Sequence, residues 1–188
     1  MVEEAPRRVN FVSGMVLGAA DLAAEQGYHR EMRYLHNRLH GYGTVSGLEV
    51  SVTRGRVRVD PGLAIDPWGR EIVLAEPSTV RLEQPRGTGW ARDLLIAWHE
   101  QCDGQVPGPD GPVFTRVVEQ PELFLADPGE GGPEALVLAR LTRTSRGGVA
   151  VDATVRRPLG SADPGAGTGR YARCDSVSPS DAASMTNR

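Results

Sequence analysis

His29, His36 and His40 are the residues of this chain whose type and spacing come nearest to metal chemistry. On a helix, 36 and 40 are one turn apart and 29 lies two turns before 36, so all three can share a face. Neutral imidazoles at i, i+4 bind zinc or nickel. Glu31, however, does not fall between two histidines in the spacing of a zinc protease, and no cysteine or further carboxylate completes a set. The expectation is that the rings hydrogen-bond the helix to the Gly41–Gly47 loop and to the β domain beyond it. Metal binding and a pH-sensitive contact are the alternatives. No cofactor is expected.

His99-Glu100-Gln101-Cys102 brings an imidazole and a thiol into one short run. On a strand, residues three apart point to opposite faces, so the run does not make an activated nucleophile. Asp60, Asp66 and Glu71 crowd the turns of the first β group without the alternating ligand spacing of a calcium loop. Aspartates that bond nearby backbone amides explain them more simply. The glycines of Gly41-x-Gly43-x-x-x-Gly47 follow a helix, whereas a phosphate loop needs its amides at the start of one. No catalytic residue is assigned, and the chain reads as a non-enzyme. Trp68, between Pro67 and Gly69, either folds back onto the sheet or anchors an interface.

The histidines need a helix to carry them, and the pattern predicts one over Asp21 to His40, with Asp21 as cap and Gly41 as the left-handed residue that ends it. Tyr28, Met32, Leu35 and Leu39 follow i, i+4, i+7, i+11 and form one apolar stripe. The stripe is expected to pack on the β domain; with Phe11 and Trp68, its residues are also the candidate contacts to a neighbour. Upstream, Phe11 to Leu17 reads as an extended arm that places Phe11 and Leu17 in a core or in another subunit.

From Leu48 the period changes to two. Leu48, Val50 and Val52, then Val57 and Val59, then Leu63 and Ile65 alternate with polar residues, and Arg54-Gly55, Asp60-Pro61-Gly62 and Asp66-Pro67-Trp68-Gly69 supply turns. Ile72–Leu74, Val80 and Leu82 continue the group. Asp93 to His99 is the most strand-like run, with Leu94, Ile96 and Trp98 on one face. Gly104 to Pro112 reads as a loop. Phe114–Val118, Leu123–Leu125, Ala135–Thr142 and Val149–Val155 are further strands.

The expected fold is therefore mainly β: a small sandwich or barrel-like set of antiparallel sheets preceded by one N-terminal helix and followed by a flexible tail. Residues 1–47 form the arm and helix, and 48–159 the β-rich domain, with subgroups at 48–83 and 93–157. Residues 160–188 form the tail, too poor in apolar residues to offset their chain entropy.

A length of 188 residues suits one domain with a tail. The formal charge of −3 leaves no basic face for nucleic acid. Nothing approaches the roughly 20 apolar residues of a membrane span, and the charged start does not resemble a secretory signal. Cys102 and Cys174 then read as free thiols of a protein assembled in the cytoplasm, including one released in a particle by lysis.

The helix and first β group resemble the N-terminal part of baseplate- and fibre-associated proteins of phage tails and contractile injection systems. The resemblance rests on Phe11, Gly14, Leu17, Asp21, Glu25-Gln26, Tyr28, His36-Asn37-Arg38 and His40-Gly41-Tyr42-Gly43. It continues through Val45, Gly47-Leu48, Val57, Val59, Gly62, Ala64, Asp66 and Gly69-Arg70-Glu71-Ile72. Leu136 to Leu141, with Gly147-Gly148, looks like a β tail of the same proteins. The resemblance implies a structural subunit or adaptor that connects baseplate, spike or fibre subunits, with no catalytic residues. Its partners are other subunits of a large assembly (baseplate, tube, spike or fibre proteins), further copies of this chain among the candidates. The chain lacks the receptor-binding tip of longer fibre-like proteins, which favours a baseplate or adaptor role. The alternative, a carbohydrate- or receptor-binding fibre module, needs exposed aromatics over a shallow polar groove.

Overall fold

The computed structural model describes residues 6–82, 89–109 and 111–161. The tail expected from residue 160 therefore lies almost wholly outside the described residues. Mainly β structure follows a single helix, as the alternating runs imply.

Helix α1 (Ala19–Arg38) is built from alanine, glutamate, arginine, methionine and leucine, all favourable in a helix interior. It starts two residues before the predicted position. Gly18 is the extended N-cap, and Asp21, in the third helical position, reaches back so that its Oδ2 accepts the Gly18 N–H at 2.9 Å. The acid thus acts as the reciprocal half of a capping box, not as the cap itself. At the other end the amides of Leu39, His40 and Gly41 bond carbonyls three residues back, and Gly41 turns the chain out at φ +82°.

Three antiparallel sheets enclose one core. Strands β1 (Gly43–Gly47), β4 (Gly62–Ile65) and β5 (Glu71–Leu74) form the first, in the order β1-β4-β5. Strands β2 (Val50–Thr53), β3 (Arg56–Val59) and β6 (Ser78–Arg81) form the second, in the order β2-β3-β6. The third contains β7 (Ala91–Ala97), β10 (Glu122–Ala126), β11 (Ala135–Arg143) and β12 (Val149–Asp152), in the order β10-β7-β11-β12. Alternation decides which side chains enter the core: Val57 and Val59 are buried and Arg56 and Arg58 exposed, while Ile72 and Leu74 are buried and Val73 exposed. Leu94, Ile96, Leu136, Leu138 and Leu141 of the third sheet meet them, together with Leu48 and Leu82. Each full burial of this kind stabilises by about 1.5–3 kcal/mol relative to exposure.

β2 and β3 turn through Arg54 and Gly55, both at positive φ (+50° and +75°), the backbone of a two-residue hairpin turn whose twist matches its strands. Leu48 is a second non-glycine at positive φ (+59°), and its side chain is fully buried. Its conformation is held from both sides: its N–H donates to the Pro61 carbonyl at 3.1 Å, and its own carbonyl accepts from Arg156 Nη2.

The last pair, β8 (Glu100–Gly108) and β9 (Gly111–Glu119), forms a regular antiparallel hairpin in which, among the described residues, each strand pairs only with the other. The stretch expected as a Gly/Pro loop is thus largely strand. Pro107 faces Pro112 in a two-stranded ribbon, where each strand has an open edge and a missing N–H breaks no inner ladder.

Candidate assembly interface

α1 docks on the β domain with its polar side. Asn37 Nδ2 donates to the Gly69 carbonyl and to Glu71 Oε1, both at 2.8 Å, and Arg38 Nη1 donates to the Trp68 carbonyl at 3.0 Å. Arg33 Nε stands 3.0 Å from Glu71 Oε1, and Arg30 Nη1 stands 3.0 Å from Glu100 Oε1. Tyr34 is the one fully buried residue of the helix, and burial pushes its phenol above the usual range. Burial likewise raises the Glu100 carboxyl, outweighing the opposing pull of Arg30. The approach is close: a Cβ on Gly69 (φ +87°) would lie 2.2 Å from the Tyr34 carbonyl oxygen.

The receiving turn is itself braced. Asp66 is buried; its Oδ1 accepts the amides of Trp68 and Arg70, both at 2.9 Å, and its Oδ2 lies 2.5 Å from Arg70 Nε. Desolvation pushes the Asp66 carboxyl up against these donors. The Arg70 guanidinium lies 4.8 Å from the Trp68 ring centroid and 4.4 Å from that of Trp98, a cation held between two indoles. The Trp68 ring thus lies against Arg70 and is half-buried. Asp66 explains the turn, as expected of its residue type. Asp60 instead pairs with Arg58 at 3.0 Å, and Glu71 serves the helix.

The apolar stripe does not pack as expected. At 100° per residue it is centred roughly 130° around the helix from Tyr34. Leu35 is 38% exposed and Leu39 78% exposed, while Tyr28 and Met32 are half-buried. The docking face is fixed by hydrogen bonds and ion pairs to one turn, and these outcompete the apolar periodicity in choosing which side faces the domain. Nor does the arm enter the core, since Phe11 is 54% and Leu17 47% exposed. The hairpin adds Val113, Phe114, Val117 and Val118, all exposed.

The histidines are not tied to the loop or to the β domain. His29 Nε2 lies 2.9 Å from Glu25 Oε1, and His36 and His40 bond each other, Nε2 to Nε2, at 3.2 Å with edge-to-face rings. They face away from the docked side, so partners one turn along the helix satisfy them. Among the described residues no three His, Cys, Asp or Glu side chains come together to hold a metal. His99 is exposed at the end of β7. Cys102 is disulfide-bonded, which corrects the free-thiol expectation; the chain's other cysteine, Cys174, lies outside the described residues.

A shallow cleft opens between β5, the end of β7 and the start of β10, lined by Glu71, Trp98, His99, Glu119, Gln120 and Pro121. Among the described residues its lining carries acids, an imidazole and an indole. Among the described residues, no helix is long and apolar enough to cross a membrane.

The fold has counterparts among solved structures. A chain of the type VI secretion system TssK-TssF-TssG baseplate subcomplex superposes with a TM-score of 0.54 at 15% identity, over 79% of this chain and 60% of that one. A chain of the type VI secretion baseplate complex gives 0.54 at 14% identity, over 79% of this chain and 58% of the other. The crystal structure of TssK gives 0.50 at 14%, over 79% of this chain and 41% of that one. This chain thus spans less than two thirds of the length of each. No protein-family model matches the sequence, and no curated protein does.

Proposed function

We propose that this chain is a structural subunit of a contractile injection machine, an adaptor that joins baseplate, spike or fibre subunits through contact area and makes or breaks no bonds. The observation that carries this reading is the apolar surface left outside the core on three elements at once: the arm, α1 and the β8–β9 hairpin. A monomer gains nothing by exposing Val16, Leu39 and Phe114, whereas a subunit of an assembly covers them. The likeness of fold to baseplate proteins of the type VI system, across 79% of this chain, supports the same reading. Few aromatic rings surround the cleft beside Trp98, so a sugar-binding role gains no support from it.

The test is affinity purification of the tagged full chain from its own cells, with the bound proteins identified by mass spectrometry. Sheath, tube or baseplate subunits are expected in fixed ratio to the chain. Recovery of the chain alone, or turnover of a substrate by it, would overturn the reading.

A further inference from the structure

Cys102 is half-buried on β8, between the exposed Gln101 and Asp103. Side chains alternate along a strand, and directly opposed residues of an antiparallel pair share a face. In the register of the hairpin, Cys102 pairs with Val117 and Val106 pairs with Val113. All four therefore stand on one face, where Val106, Val113 and Val117 are 38%, 44% and 51% exposed. Glu100 and Glu119 oppose each other at the root of the same face, while Phe114 and Val118 belong to the other.

We propose that the chain's own C-terminal segment covers this valine face, held there by a disulfide between Cys102 and Cys174. Cys102 is disulfide-bonded and the chain has one other cysteine, so a bond within the chain leaves Cys174 as its partner. The reach suffices. Arg157 donates to the carbonyls of Tyr42 and Ser161, which keeps the last described residue close to the end of α1. Cys102 stands two residues beyond Glu100, which Arg30 of α1 holds. From Arg30 to Arg38 the helix rises roughly 12 Å. The stretch from Ser161 to Cys174 can extend to roughly 45 Å. The sequence around Cys174 suits the face as well. Tyr171 and Val177, two of the three large apolar residues beyond 161, stand three positions to either side of Cys174. Arg170 and Arg173 supply cations to Glu100 and Glu119, whose like charges otherwise repel across the ladder. A segment this poor in apolar residues does not hold such a face unaided. Covalent attachment gives it an effective concentration on the order of millimolar, and weak contacts then suffice.

Closing the bond turns two thiols into one disulfide; their two electrons and two protons pass to a small-molecule disulfide, which leaves as two thiols. The test is to equilibrate the full chain with oxidised glutathione and digest it with trypsin. Mass spectrometry should find the peptide 93–116 joined to 174–188, and a reductant should part them. On a non-reducing denaturing gel the undigested protein should run as a single chain. Cys174→Ser should shift the methyl NMR signals of Val106, Val113 and Val117 and leave that of Val118 in place. The same substitution should speed trypsin cleavage of the native protein after Arg170 about tenfold, because the segment is then no longer held. Two cysteines capped separately by glutathione, a bond between two copies, or valine signals unmoved by the substitution would each overturn the proposal. None of these results decides the proposed function, because Phe114 and Val118 stay exposed on the other face of the hairpin in either state.

Discussion

Gly69 carries two constraints, a left-handed backbone and a helix lying against its Cα, whereas Gly55 (φ +75°) carries only the first, with open space where a Cβ would go. Gly55→Ala should therefore cost about 1 kcal/mol from backbone strain alone. Gly69→Ala should cost about 2 kcal/mol or more, because α1 must also move away. Urea unfolding of the two variants separates the terms; equal costs would mean that the helix contact is soft. Asp93 offers a test in pH. Arg140 Nε donates to Asp93 Oδ1 at 2.7 Å and Nη2 to Oδ2 at 3.0 Å, and these bonds hold the carboxyl below its ordinary range. A depressed folded-state pKa stabilises fully above the unfolded value of about 3.9, and that stability is lost as pH falls from there through the folded value. Asp93→Asn should flatten this part of the acid limb and lower stability at neutral pH, as read from denaturation midpoints between pH 2 and 7 or so.

α1 was legible in the sequence because its residue types and Gly41 both point to a helix; which side docks was not. A hydrophobic pattern assigns the apolar stripe to the core, but here Asn37, Arg38 and Arg33 find a carbonyl-rich turn and Glu71, and these directional bonds set the rotation. Nothing in residue spacing announces a carbonyl presented by a turn 30 positions away. Asn37→Ala with Arg38→Ala should release the helix locally, by about 1–3 kcal/mol, while the β core stays folded. Hydrogen exchange would show faster amides in 19–38 and unchanged ones in β7 and β11. The alternating strands of the first group were legible for the opposite reason: each buries one face, and β-branched residues at every second position announce it. The β8 strand was hidden by Gly104 and Pro107, which mark a loop in most contexts and are tolerated here because the hairpin has two open edges.

At the scale of the molecule, the last described residues close the fold that the first strands open. Thr44 and Leu159 exchange backbone bonds with the opposite segment, Thr44 N–H to the Arg157 carbonyl at 2.8 Å and Leu159 N–H to the Thr44 carbonyl at 2.9 Å. Arg156 spans Gly47, Leu48 and Leu138, donating to all three carbonyls. Arg156→Ala leaves these acceptors short of a charged donor and should lower global stability by about 2 kcal/mol, measured by urea unfolding. A fold closed in this way, with its spare apolar surface on the arm, helix and hairpin, suits the proposed role of joining neighbours. The most direct test of that role is the composition of purified injection particles from the source cell, quantified by mass spectrometry and by labelling in electron micrographs. The account predicts the chain in every particle, in fixed ratio to the baseplate subunits and located at one end. Complete, contractile particles that contain none of it would contradict the account.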